Sequence, residues 1–132
     1  MSGETDLDTL LGGLSVSRRP GTFTFVTVEG PVAADEGVHA VIVEDEGTTL
    51  IATIEAAQDR GWQVGFEGAW LTLDVHSSLT AVGLTAAVSA ALTAEGIPCN
   101  VVAGYHHDHL LVPVERAEDA IRRLEELGHA RQ

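Results

Sequence analysis

The spacing of apolar residues changes abruptly in the second half of this 132-residue chain. Over residues 69–75 apolar and polar residues alternate, which places successive side chains on opposite faces of a strand. The polar residues His76-Ser77-Ser78 then break the pattern. Over residues 80–95 the spacing becomes that of one apolar helical stripe, made by Leu84, Ala87, Val88, Ala91 and Leu92. The sequence therefore predicts a strand that leads through a short polar turn into a helix.

The rest of the second half predicts two more strands and a last helix. Gly96-Ile97-Pro98 is typical of a helix end, because glycine adopts the left-handed conformation and proline cannot continue the helix. At the other end, Ser78 or Thr80 is expected to cap the helix through a side-chain oxygen. Strands are predicted at residues 99–103 and 109–113, and a helix at 115–127 that Gly128 ends. This β-α-β-β-α order is that of a ferredoxin-like unit without its last strand.

The first half is rich in strand-forming residues but has no long helix between its first two strands. A short helix is predicted near the start, where Leu7, Leu10, Leu11 and Leu14 share one face, and Arg18-Arg19-Pro20-Gly21 predicts a turn. A strand is expected at residues 22–28, a hairpin at 38–43 and 48–54, a helix at 55–60 capped by Gly61, and a short strand at 62–66. We interpret residues 1–67 as a degenerate copy of the unit formed by residues 68–132.

The charge balance excludes several classes of partner. The formal net charge is −13, and the only cationic side chains besides histidine are seven arginines. Nucleic acids and anionic membrane surfaces are bound through clustered Lys or Arg, so neither is an expected partner. A single cysteine cannot form a disulfide within the chain, and no apolar run reaches the ~20 residues of a membrane span. With no signal-peptide pattern at residues 1–8, the cytoplasm is the expected location.

A histidine-rich segment and a single cysteine contain residue types that bind metals or act as nucleophiles, but their context does not favour either role. The segment Tyr105-His106-His107-Asp108-His109 contains metal-ligand residue types, but adjacent residues of a strand point to opposite faces. His107 and His109 would share one face and His106 and Asp108 the other, and two ligands make only a weak metal site, so turn formation or a polar surface is the preferred interpretation. Cys99 precedes a predicted strand, where burial is more common than nucleophilic activity. We expect no catalytic residue, no metal and no cofactor.

The chain resembles a known family in three segments. These are the acidic hairpin segment Glu44-Asp45-Glu46-Gly47-Thr48-Thr49-Leu50, the stretch from Leu71 to Val88, and the stretch from Gly96 to His109 together with Val112-Pro113. They resemble ACT domains, and the whole chain resembles small bacterial proteins built of two tandem ACT-like units. The resemblance implies an α+β fold of two ferredoxin-like (βαββαβ) units, with antiparallel sheets packed by helices. It also implies an amino acid bound where the first strand of a unit ends and its first helix begins, and a regulatory rather than catalytic role.

The expected ligand site lies around the strand-to-helix turn at residues 76–85. A helix N-terminus offers unpaired N–H groups and a partial positive charge, which suit a ligand carboxylate. The turn's serines add hydroxyl groups, glycine allows close approach, and an asparagine amide on the next strand can bind an amino or carboxylate group. The predicted ligand-binding residues are His76, Ser77, Ser78, Leu79, Val82, Gly83, Leu84, Asn100 and Val101.

A second interpretation uses the same residues without a ligand. Ser77 and Ser78 can be ordinary helix caps, and Gly83 can serve close packing alone. The chain would then be a structural or protein-interaction module with a vestigial pocket, joined to partners through a sheet edge. A homodimer is expected under either interpretation, so oligomeric state does not separate them.

Overall fold

The structure is a computed structural model that describes residues 5–75 and 80–130. Within these residues the chain has an α+β fold, as the sequence predicts. The strands are β1 (Val16–Val28), β2 (Val38–Glu44), β3 (Gly47–Thr53), β4 (Gly68–Leu73), β5 (Asn100–Ala103) and β6 (Asp108–Pro113). The helices are α1 (Leu7–Gly12), α2 (Ile54–Asp59), α3 (Leu84–Ala94) and α4 (Ala117–His129), the last preceded by the 3-10 turn Val114–Arg116. Two compact units result: a larger unit of residues up to Arg19 and from Ala69 onward, and a smaller unit of Pro20–Gly68.

In the larger unit, three helices pack on one face of a sheet. The strand order is β1, β4, β6, β5, with β1 contributing its first residues, and β5 pairs antiparallel to β6. Ala69, Leu71 and Leu73 point into the core formed with α1, α3 and α4. Trp70 occupies the opposite face and is 3% exposed. The alternation predicted for this strand is therefore confirmed, and both of its faces are buried.

Helix α3 begins later than the sequence predicts. Its first residue is Leu84, and its N-cap is Gly83 in the left-handed conformation (φ +103°). The expected cap by Thr80 is wrong, because Thr80 lies three residues before this N-cap; Ser78 lies outside the described residues. A left-handed residue interrupts the helical backbone, so the helix cannot extend to residue 80.

The end of α3 follows the predicted stop signal. Gly96 takes a φ of +69° and its N–H donates to Thr93 O over 2.9 Å. The N–H of Ile97 donates to Leu92 O over 3.0 Å, and the Ile97 side chain is buried. This pair of bonds is a Schellman motif with its usual apolar contact.

The smaller unit contains the predicted hairpin and a short helix. Its strand order is β2, β3, β1, and both pairings are antiparallel. Helix α2 is capped by Thr53, whose hydroxyl accepts from the N–H of Ala56, and Gly61 follows its end with a φ of +72°. The strand predicted at residues 62–66 is wrong, because this segment has no regular structure. Trp62 and Val64 still pack against the core, so the apolar alternation there indicates burial rather than strand pairing.

The turn predicted at Arg18-Arg19-Pro20-Gly21 is also wrong. These residues lie inside β1, a strand of 13 residues that begins in the larger unit and ends in the smaller one. Both sides of the segment are held: the Asp74 N–H donates to Ser15 O, and residues 23–28 pair with β3. Gly21 takes a φ of +97°, a conformation that glycine adopts without strain, and the strand continues through it.

Gly128 lies inside α4 and does not end it. The residue is buried, and a Cβ built there would lie 2.9 Å from Leu14 O and 3.2 Å from Leu11 O. The absence of a side chain therefore lets α4 approach the end of α1 closely. The prediction that this glycine terminates the helix is wrong, because packing against α1 determines its position.

We expect Gly128→Ala to lower the free energy of unfolding by about 1–3 kcal/mol, although alanine is the better helix former. The added methyl group would meet backbone oxygens, which cannot move aside as a flexible side chain can. Urea denaturation measures the change. Gly65→Ala is the matched control, because a Cβ at Gly65 has nothing within 4 Å. An equal or higher stability of the Gly128 variant would show that the two helices are not in close contact there.

Candidate functional site

The chain is held where it leaves β4 toward the predicted ligand turn. The N–H of Asp74 donates to Ser15 O over 2.8 Å, and the hydroxyl of Ser17 donates to the Asp74 carboxylate over 3.0 Å. On the opposite side, Nδ1 of His107 donates to Val75 O over 3.1 Å. Strand β1 and the turn that precedes β6 therefore both contact the chain where it leaves β4. The predicted site residues His76, Ser77, Ser78 and Leu79 come next and lie outside the described residues.

A second contact lies at the start of α3, where Leu7 of α1 approaches Gly83. Val82 is 82% exposed, whereas Leu84 is 3% exposed and belongs to the core. A Cβ on Gly83 would lie 3.0 Å from Cδ2 of Leu7, so α1 contacts the start of α3. Gly83 provides no side-chain cap for the helix, and the first backbone bond of α3 runs from the Ala87 N–H to Gly83 O. The amino end of α3 carries the partial positive charge of a helix N-terminus, which attracts anions.

The structure does not bring Asn100 and Val101 to this turn within one chain. Asn100 pairs with Leu111, whereas Ala103 pairs with Asp108 at the start of β6. Because the start of β6 lies beside the end of β4, Asn100 is three residues, or about 10 Å, below the level of the turn. Helix α3, about 16 Å long, runs back along the sheet before β5 begins. Both residues are nevertheless exposed, and the Asn100 amide reaches Leu111 O at 3.5 Å.

The histidine-rich segment contacts strand β4 through His109. His109 lies on β6, and its Nδ1 accepts from the Trp70 indole N–H at 3.3 Å and lies 2.9 Å from the Thr72 hydroxyl. The guanidinium carbon of Arg19 lies 4.0 Å from the centroid of the Trp70 ring. The described part of the chain contains no group of three or more His, Cys, Asp or Glu arranged to hold a metal ion.

The residues around His109, namely Trp70, Thr72 and Arg19, favour the neutral form of its ring. An indole N–H can only donate, so Nδ1 of His109 must carry a lone pair to accept it. Burial lowers the pKa of His109, the positive charge of Arg19 and the neighbouring His107 lower it further, and only Asp108 opposes them. The sequence analysis does not predict the contact between Trp70 and His109. Strand alternation is the sequence feature that indicates it, because it places both residues on the face opposite the apolar core residues.

Cys99 does not have the surroundings of a nucleophile. It packs against the core of the larger unit, and this burial raises the pKa of its thiol. A raised pKa reduces the thiolate fraction at neutral pH, and the thiolate is the reactive form. This environment matches the interpretation of Cys99 as a residue of structural packing.

The smaller unit has an open groove of its own. Its volume is about 450 Å³, and it lies between β1 and the segment that follows α2. Phe25 and Trp62 contribute aromatic walls, and Thr27 and Gln63 contribute polar groups. The groove adjoins residues 62–66, which were predicted to form a strand and do not.

Two protein-family models match this chain. An ACT domain family model matches residues 2–67, and a second ACT domain family model matches residues 66–126. No curated protein matches the chain.

Three solved structures illustrate the structural similarity. The protein VC0802 from Vibrio cholerae, described as of unknown function and a possible transport protein, is 39% identical, with a TM-score of 0.83 over 92% of this chain and 95% of that one. Protein Atu0741 from Agobacterium tumefaciens is 22% identical, with a TM-score of 0.68 over 87% and 89% of the two chains. The regulatory subunit of aspartate kinase from Thermus flavus is 12% identical, with a TM-score of 0.61 over 86% and 96%. At their low identities, the last two show a shared fold.

Among the described residues, no helix is both long enough and apolar enough to cross a bilayer.

We expect acidification to weaken the fold through His109. Its native pKa lies below the ordinary value of 6.5, so the neutral ring stabilises the folded state. This contribution is complete above about pH 6.5 and is lost as the pH falls through the native pKa. Urea midpoints from about pH 7.5 to about pH 5 should therefore change less in His109→Gln than in the wild type. His106→Gln, on the adjacent turn, is the control; a His109 variant that keeps the full pH dependence would contradict this prediction.

We expect Gly83→Ala to cost about 1–2 kcal/mol of stability from positive φ, with an added cost from contact with Leu7. Gly30→Ala is the matched control, because Gly30 also has a positive φ but nothing lies within 4 Å of its Cβ position. Denaturation curves should show a larger loss for Gly83→Ala than for the control. Equal losses would mean that Leu7 does not constrain the start of α3.

Proposed function

The chain belongs to the ACT domain family, as a tandem of two such domains, and we propose that it is a regulatory protein that binds an amino acid at the turn between β4 and α3. The observation that carries the proposal is the amino end of α3. It has no side-chain cap at Gly83, and other elements contact the chain on both sides of the proposed segment: His107 bonds to Val75 O, and Leu7 lies against Gly83. A ligand carboxylate is the group that such a helix end attracts.

The proposed contacts differ in kind along the turn. Ser77 and Ser78 would offer hydroxyl groups, and the neighbouring His76 and Leu79 would complete the turn. Gly83 would allow the ligand to approach the backbone, and the exposed Val82 would contact its apolar part. The side chain of Leu84 is occupied in the core, so this residue would contribute only its backbone N–H.

Asn100 and Val101 can join this site only from a second copy of the chain. Within one chain they lie at the other end of α3 from the turn, and both are exposed on β5, the outermost strand of the larger unit. We therefore propose a homodimer in which the ligand lies between the turn of one copy and the β5 strand of the other. Ligand binding would then shift the association equilibrium, which is a regulatory response without catalysis.

Regulatory neighbours and local chemistry support this role over an enzymatic one. A neighbour of the same fold is the regulatory subunit of aspartate kinase from Thermus flavus. In this chain, burial raises the pKa of the Cys99 thiol, and Nδ1 of His107 is engaged with Val75 O. The cytoplasmic location stays a prediction.

A structural or interaction module is the second candidate. The observation that favours it is the exposed apolar surface of β2, the outermost strand of the smaller unit: Val43 is 84% and Ile42 is 42% exposed. Such an edge can pair with a strand of another chain. This candidate predicts association without any response to amino acids.

We expect one or a few amino acids to raise the melting temperature of the wild-type chain by several degrees. A ligand at a hundredfold excess over its dissociation constant stabilises the folded state by ~2.7 kcal/mol. Ser78→Ala should abolish the shift, and Ser89→Ala, a control within α3, should keep it. If no common amino acid at millimolar concentration shifts the melting temperature, amino-acid binding is refuted and the interaction module becomes the preferred function.

Mixing two variants tests whether the site is shared. Ser78→Ala and Asn100→Ala chains should each fail to bind alone, but a hybrid dimer has one site with both residues intact. Co-expressed or refolded mixtures should therefore recover part of the binding measured by calorimetry. A mixture that binds no better than either variant would show that the site is not formed between two copies.

A further inference from the structure

The turn between β5 and β6, residues 104–107, lies beside the exit of β4. Strands β4 and β6 are neighbours in the sheet of the larger unit. His109 of β6 contacts Trp70 and Thr72, and two residues earlier His107 reaches Val75. The turn therefore faces the chain at the point where the proposed ligand turn begins.

His107 provides the contact between the two segments. Its Nδ1 lies 3.1 Å from Val75 O. A carbonyl oxygen only accepts, so Nδ1 carries the hydrogen in this bond. The preceding residue, Asp74, is bonded through its N–H to Ser15 O on the β1 side. The backbone at residues 74–75 is thus held from both neighbouring strands, and His107 is the side chain that holds it from the β6 side.

The backbone of the turn fixes where His107 can be. The N–H of Gly104 donates to His107 O over 2.9 Å and closes the turn. A Cβ at position 104 would lie 2.8 Å from that same oxygen and 3.0 Å from Nε2 of His109. Only glycine fits this approach, and the closed turn places His107 beside the end of β4.

We propose that His107 is a positioning residue for the ligand site, which sets the direction in which the chain leaves β4 and couples the site to the β5–β6 turn. The identity of the site as an amino-acid site rests on the proposed function. Because β5 is the outermost strand of the larger unit, the turn links the ligand to the sheet edge that carries Asn100.

Hydrogen–deuterium exchange of the ligand-free chain tests the positioning role. His107→Leu removes the donor at similar bulk, and His107→Asn keeps an N–H donor at a similar reach from the backbone. His106→Leu is the matched control, since His106 is exposed and makes an edge-to-face contact with Tyr105 in the same turn. The amide of Asp74 and peptides covering residues 74–83 should exchange about fivefold faster in His107→Leu. They should stay near the wild-type rate in His107→Asn and His106→Leu.

The outcomes separate the hydrogen bond from a general loss of structure. Residues 48–53 of β3, in the smaller unit, serve as an internal reference and should keep their wild-type exchange in all variants. Unchanged exchange at residues 74–83 in His107→Leu would overturn the inference. Equal acceleration in His107→Leu and His107→Asn would overturn it too, because the donor would then not be the link.

A ligand measurement distinguishes this inference from the proposed function. The probe is the amino acid that stabilises the wild type most in the melting panel. Its affinity should fall about fivefold in His107→Leu and be restored in His107→Asn. Affinity unchanged in His107→Leu would overturn the positioning role while the proposed function stands. If no amino acid binds the wild type, the proposed function fails, and the exchange experiment still decides whether His107 positions the exit of β4.

Discussion

Strand β4 is buried on both faces, and the location of the candidate site follows from that burial. Leu71 and Leu73 fill the core under the helices, and Trp70 is buried on the other face. A strand covered on both sides cannot slip by one residue without exchanging its two sets of side chains. The level at which β4 ends is therefore fixed, and so is the start of the turn that leads to α3.

The two ends of that turn depend on elements far away in the sequence. His107 and Ser15 hold the chain at its exit from β4, and Leu7 contacts Gly83 where α3 begins. Helix α1 consequently has two structural tasks, since its other end is approached by α4 at Gly128. Leu7 and Ser15 thus contact the chain on either side of the proposed ligand segment, and they belong to the same compact unit as residues 69–132.

The histidines of the β5–β6 segment divide into two roles. His109 accepts from the Trp70 indole on the face of the sheet turned away from the helices, and burial lowers its pKa. His107 donates through Nδ1 to Val75 O, at the end of β4. The same short segment therefore supplies two side-chain contacts to the chain of β4, one along the strand and one at its exit.

The sequence by itself determined the fold class, most element positions and the local helix ends. Alternation over residues 69–75 and the helical stripe after it need only neighbouring residues, and Gly96-Ile97 forms its motif within one turn of helix. Only the tertiary structure decided where α3 begins, why Gly128 lies within a helix, and that Asn100 is far from the turn. Those features depend on which faces of distant elements meet: Leu7 with Gly83, α1 with α4, and a helix that returns the chain to the opposite end of the sheet.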